Sequence, residues 1–237
     1  MSKHIKRLTI PKSWKISKKE ALWAVKPAPG KHPISHAMPL GMVLRDMLHY
    51  ADTMKEARRI IGARKILVDG VPETDYKAPV GLMDVISIPD ADEHYRMLFD
   101  VRGRLTPIAI DSERSKWKLA RINGKSTVKG GKTQINLHDG RNIIVDKDIY
   151  RTGDVLKIAV PGQKIIKHLK MEEGNRALII GGRHRGSLAV LSEYEVVKGP
   201  QPNIVRFKEG FDTIKENVFV VGTETPEIKL PEADVNE

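Results

Sequence analysis

The 237-residue sequence has no cysteine, which removes disulfide frameworks, thiolate zinc sites, iron–sulfur ligation and cysteine nucleophiles together. That absence fits a reducing compartment. Long apolar runs are missing as well. No stretch approaches the roughly 18 apolar residues of a membrane span, and no early apolar run of signal-peptide type exists. Neither a span nor a secretion signal is expected. Acids are scarce at the amino terminus: residues 1–40 carry nine Lys or Arg against Glu20 alone, so +8 of the chain's net +11 sits there. The last fifteen residues reverse this, with Glu224, Glu227, Glu232, Asp234 and Glu237 against Lys229. Such asymmetry points to a polyanion met first by the amino-terminal segment. An organelle transit peptide is also basic, but this segment is Lys-rich where those are rich in Arg and Ser. A chain of this length buries about 70–75% of its unfolded surface, so neither metal nor disulfide is needed for stability.

Residues 1–39 contain Pro11, Pro27, Pro29, Pro33 and Pro39, which limit any helix to the stretch from Ser13 to Val25. Ser17 followed by Glu20 is a capping-box spacing that predicts a short helix running to Trp23 and Val25. Trp14 and Trp23 argue against a fully solvated tail, because each forfeits a large apolar burial in water. The arm therefore packs on the body or on RNA, and either indole is a candidate for stacking on an unpaired base.

Leu40, Val43, Leu44, Met47 and Leu48 trace one apolar helix face after Pro39. Thr53 opens a second helix with Glu56 as its capping-box partner and Met54, Ala57, Ile60 and Ile61 inward, and Gly62 is placed for a left-handed terminus. Its other side carries Lys55, Arg58 and Arg59, with Arg64 and Lys65 just beyond. These five cations are either a solvated face or a phosphate-binding one. Lys65–Val68 reads as a strand, Asp69-Gly70 as a tight hairpin turn, Val71-Pro72 as the return, and Asp84–Ile88 as another strand. Asp90, Asp92 and Glu93 mark a boundary. Beyond it, short strands recur at 96–101, 105–110, 118–122, 133–137, 141–145, 155–160, 164–169, 176–180, 188–191 and 219–221, with turns at Asn123-Gly124 and Asp139-Gly140.

Several motifs fail on inspection. Gly130-Gly131-Lys132-Thr133 resembles the end of a P-loop, but position 126 is Ser126 and the following residues alternate like a strand, so a basic hairpin loop is expected. His32 and His36 have a helical ligand spacing, yet Pro33 lies between them and no further ligand completes a metal site. Ser112, Ser115 and Ser192 lack any sign of nucleophile activation, and Asp90 with Asp92 reads as a solvated pair. The dinucleotide fingerprint is absent from Gly181–Gly186. There, three glycines allow the backbone to approach a partner closely, beside Arg183, His184 and Arg185.

Three groups of residues resemble known families. The segment from Pro39 to Ile88, with Ala57-Arg58-Arg59-Ile60, Val68-Asp69-Gly70 and Gly81–Ile88, resembles the helix-helix-β RNA-binding domain named after bacterial small-subunit ribosomal protein four. Gly174–Gly182 followed by Gly186 resembles a KOW motif, a small β-barrel element. His4–Leu8 and Pro11–Trp14, with Asn217–Gly222 at the far end, are similar to the archaeal and eukaryotic small-subunit ribosomal protein four-e family, and the likeness covers nearly the whole chain in order.

The resemblance implies an α+β, multi-domain fold: a basic arm over 1–39, the RNA-binding domain over 40–92, a β-rich central domain over 93–172, a KOW-type β-barrel over 173–222 and an acidic tail over 223–237. It implies a structural, non-enzymatic constituent of the cytoplasmic ribosome. Its partners are then small-subunit ribosomal RNA and neighbouring ribosomal proteins, with no cofactor, metal, membrane or small-molecule substrate. On that likeness Arg45, Lys55, Arg58, Arg59, Arg64 and Lys65 face RNA in the first domain, and Arg183, His184 and Arg185 do so in the KOW-type loop. Lys3, Lys6, Arg7, Lys12, Trp14 and Lys15 complete the expected set from the arm. Eukaryotic members finish in a basic extension; the acidic end here implies an archaeal member and argues against an RNA role for 223–237. An RNA-modifying enzyme is one alternative, because the first domain also accompanies pseudouridine synthases and a tRNA synthetase. A KOW-bearing transcription or translation factor is another.

Overall fold

The computed structural model describes residues 4–146 and 148–230. The chain divides into two compact units, Met1–Phe99 with Arg104–Lys118, and Asp100–Gly103 with Leu119–Glu237. Each is rich in short strands; among the described residues α-helix is confined to a few turns in the first, and the second has a 3₁₀ turn at Lys215–Asn217.

In the first unit a five-stranded antiparallel sheet runs in the order Val71–Pro72, Leu67–Val68, Val85–Ile88, Glu93–Phe99, Leu105–Ile110. Leu40–Met42 passes into a π-helical turn, Val43–Met47, whose Val43 and Leu44 are buried as their spacing predicts. The helix Met54–Gly62 follows. Its capping box is present: the Glu56 N–H donates to Thr53 Oγ1 at 3.3 Å, and the Glu56 carboxylate accepts the Asp52 and Thr53 N–H groups. The N–H bonds from Thr53 and Asp52 hold the Glu56 carboxyl below its ordinary value. Ala57 and Ile61 are buried, while the left-handed residue that ends this region is Arg64, with φ 59°, rather than Gly62. Asp69 and Gly70 both take positive φ, 53° and 73°, as a tight hairpin between antiparallel strands requires.

The acidic run at 90–93 forms a turn, in which Pro89–Ala91 and left-handed Asp92 lead directly into Glu93–Phe99, which pairs with Val85–Ile88. The helix expected between Ser13 and Val25 does not form. Instead Trp23–Val25 pairs antiparallel with His4–Lys6, and the intervening chain packs on the sheet's edge: Leu105 N–H donates to Ser13 O at 2.6 Å. Glu20, the supposed capping partner, bonds Arg7.

The second unit holds two five-stranded sheets. The first runs in the order Asn142–Val145, Thr133–Leu137, Trp117–Thr127, Val155–Ala159, Ile165–Leu169, with Ala120, Ile122, Ile135, Leu137, Leu156 and Ile158 as its core. Asn123-Gly124 is no turn; the long strand passes through it with a register shift between Ile122 and Gly124. The second sheet runs Asp212–Ile214, Ile204–Phe207, Leu188–Glu195, Arg176–Ile179, Val218–Gly222. After it the chain folds back. Gly222 pairs with Pro226, Ile228 is buried, and the Glu227 carboxylate bridges Lys157 and Lys167 at 2.6 Å each. The first part of the expected acidic tail is thus docked, and the rest of that segment, 231–237, lies outside the described residues.

Candidate nucleic-acid interface

Burying Ala57 and Ile61 turns the rest of helix Met54–Gly62 outward, and the helical period places Lys55, Arg58 and Arg59 there, all exposed. Arg58 lies 4.1 Å from the centre of the Tyr76 ring and donates to its hydroxyl at 3.0 Å. Lys77 approaches the same ring at 5.4 Å. Tyr76 thereby holds one guanidinium in place on a cationic face, and Tyr76 and Lys77 are members the sequence alone does not bring to this helix. Arg64 is exposed next to it. Lys65 is exposed too and pairs with exposed Asp90 at 2.6 Å, a contact of small net energy in water. Arg45 grips Asp46 with bonds of 2.9–3.2 Å.

The arm separates into two kinds of residue. Arg7 and Trp14, expected at the RNA surface, are 3% and 2% exposed. Arg7 donates to Ser17 O and to Glu20 at 3.2 Å, and Trp14 Nε1 donates to Ala37 O at 2.8 Å. Both serve to dock the arm. Lys6 is exposed. Lys12 and Lys15 line an open cavity of about 510 Å³ with Lys18 and Arg104, over Trp14, Ile16 and Ser17. Four cations and no carboxylate line this space, which suits an anion of phosphate size. Arg104 joins it from 86 positions beyond Lys18 in the chain, a contact no local pattern signals. Lys3 lies outside the described residues.

A buried ionic cluster fixes the arm's far end. Lys118 Nζ donates to Asp69 Oδ2 at 2.8 Å and Asp84 Oδ1 at 2.9 Å, with all three side chains fully buried. His32 Nε2 lies 2.9 Å from Asp84 Oδ2, and Lys31 reaches Asp69 at 3.7 Å. Burial opposes ionisation of Asp84, but His32, Lys118 and Lys31 outweigh it and hold that carboxyl well below the usual range. His32 is therefore a partner of a buried acid rather than one of a ligand pair, and His36 instead meets Phe99 edge-on.

In the second unit, Gly130 and Gly131 take positive φ at the tip between two antiparallel strands, so the P-loop-like residues do form a hairpin. Lys129 is exposed there, and Lys132 pairs with Asp146 at 3.0 Å. The glycines of 181–186 serve internal packing. A Cβ on Gly186, whose φ is +88°, would lie 1.7 Å from Asp100 O, and one on Gly181 would lie 2.2 Å from Asn217 Oδ1. Gly186 thus approaches the protein's own backbone and Gly181 one of its side chains. Arg183 and His184 are exposed, and the His184 ring stacks on Phe211 at 4.2 Å. Arg185 is half-buried against Gly103, and burial lowers its pKa from the ordinary value.

Family models match this chain in three places: RS4NT (NUC023) domain over residues 1–35, S4 domain over 38–86 and Ribosomal family S4e over 91–165. Small ribosomal subunit protein eS4 of Methanothermobacter thermautotrophicus is 44% identical over 97% of this chain and 96% of its own length. Its namesake in Methanocaldococcus jannaschii is 45% identical over 96% of this chain and 97% of its own. The crystal structure of 30S ribosomal protein S4e from Thermoplasma acidophilum is similar with a TM-score of 0.70 and 36% identity, covering 79% of this chain and 96% of that one.

Proposed function

The chain belongs to the ribosomal family S4e, and from that premise we propose that it is a structural constituent of the small ribosomal subunit that binds ribosomal RNA. The near-full-length likeness to archaeal small-subunit proteins carries this reading, and it supports an archaeal member acting in the cytoplasm. The role is binding rather than catalysis, with neighbouring ribosomal proteins as further partners.

In this reading the exposed face of Lys55, Arg58, Arg59 and Arg64 and the cavity of Lys12, Lys15, Lys18 and Arg104 receive phosphates, aided by Lys3, Lys6 and Lys65. Arg183 and His184, with Arg185 supporting their loop, form a second contact on a KOW-type element. Arg45 joins only if RNA displaces its bond to Asp46. The arm, the RNA-binding domain, the central β-region, the KOW-type element and the acidic tail are functional segments of one binding protein. Cations that meet phosphates displace condensed counterions, and A-form grooves, which hide their base edges, are read by backbone shape and at irregular loops.

Sedimentation tests the role. A structural constituent stays with small subunits washed in high salt, whereas a factor that visits transiently is found in the supernatant.

A further inference from the structure

We propose that Trp23 is a stacking platform for an unpaired RNA base, a site that rests on the RNA-binding reading and makes it specific. The three tryptophans have different surroundings. Trp14 is sealed by its bond to Ala37 O, and the half-buried Trp117 ring has the Arg96 guanidinium 4.3 Å from its centre. Trp23 is 49% exposed. It stands in the two-stranded ladder directly across from Lys6, and His4 meets its ring edge-on at 4.3 Å and 68°. The ladder fixes the backbone, so the indole is presented with little entropy left to lose on binding.

Leu8 and Leu22, 68% and 64% exposed, extend the apolar surface, and the Arg7 N–H bond to Leu22 O keeps their two segments side by side. Charge selects the occupant. Lys6 faces Trp23 across the ladder and Lys26 follows the strand, while the nearby acid, Glu20, is taken up by Arg7. An apolar platform beside lysines matches a stacked base with phosphates on either side, the arrangement that non-sequence-specific single-strand binders use.

The test compares a short oligoadenylate with a blunt RNA duplex of equal length, using the full chain and following tryptophan emission and affinity at fixed salt. Oligoadenylate is expected to quench the wild-type protein. Trp23→Leu is expected to lose about tenfold in oligoadenylate affinity with duplex affinity unchanged, and Trp23→Phe to keep most of it. Unaltered oligoadenylate affinity in Trp23→Leu overturns the proposal, as does an equal loss for duplex. So does a Trp23→Leu protein that binds oligoadenylate normally yet fails to join reconstituted subunits, since the patch would then meet a protein. Circular dichroism checks the fold, and should the leucine variant unfold, a Trp23→Phe protein without stacking-dependent affinity gives the same negative answer. If the wild type binds neither RNA, the RNA-binding reading itself fails and this site with it.

Discussion

Lys118 shows how a single buried cation can fix a loop, a sheet and an arm together. Removing an ammonium and two carboxylates from water is costly, and their mutual attraction repays it only when the remaining polar atoms are also satisfied. They are well supplied: Asp69 Oδ1 accepts the Val85 N–H at 3.0 Å, and Asp84 Oδ2 accepts both the Gly81 N–H at 3.0 Å and the contact from His32. Asp84→Asn leaves Lys118 and His32 short of a negative partner and is expected to destabilise the first unit by about 3–5 kcal/mol, measured by urea denaturation. The sign of the pH effect follows from the lowered pKa. Asp84 contributes stability that is fully present above the unfolded carboxyl value of about 3.9 and is lost as pH falls toward the folded one. Acid should therefore weaken the wild type more steeply than Asp84→Asn, and matching acid profiles would remove Asp84 from this role.

The helix Met54–Gly62 separates stability from binding, because its buried residues, Ala57 and Ile61, are apolar while Lys55, Arg58 and Arg59 are exposed. Charge reversal at Arg58 and Arg59 is expected to weaken RNA binding about tenfold or more at low salt while leaving the circular-dichroism spectrum unchanged. Loss of the folded signal would make the two arginines structural, with Arg58 acting through Tyr76. This helix and the Asp69-Gly70 hairpin were legible in the sequence because their signals are local: a cap three residues from its partner, an apolar period, a turn that needs two positive φ values. The arm was not. Ser17 and Glu20 have the spacing of a cap, but Arg7 engages both, through the Ser17 carbonyl and the Glu20 carboxylate, and that distant competitor replaces the helix with a ladder and a packed loop. The strands Ile204–Phe207 and Asp212–Ile214 were missed for a related reason. They are short, and their pairing with Leu188–Glu195 completes a sheet rather than following from a strong local pattern. In the interface, exposed cations near the helix were readable, whereas the burial of Arg7 and Trp14 and the arrival of Arg104 depend on tertiary contacts.

The net charge of +11 does not say where a polyanion is met, because several of the cations are held by acids within the fold. Arg7 is spent on Glu20, Lys118 on Asp69 and Asp84, Lys157 and Lys167 on Glu227, and Arg206 on Glu193 and Glu195. On the first unit, two groups of cations lie together at the surface: the helix face, and the cavity of Lys12, Lys15, Lys18 and Arg104. Binding driven by phosphate neutralisation must then depend on salt through the number of phosphates at such sites rather than through total charge. For about six phosphates and the single-strand coefficient of about 0.7, affinity for small-subunit RNA falls with a log–log slope of about −4. Reversing Arg58 and Arg59 should make that slope shallower by about 1.4 if each engages one phosphate. Reversing Lys157 and Lys167, whose ammonium groups the Glu227 carboxylate already engages, should leave it near the wild-type value. A wild-type slope near zero would defeat neutralisation as the mechanism. Equal changes in the two double variants would mean that the field of the entire chain, rather than these sites, attracts the RNA.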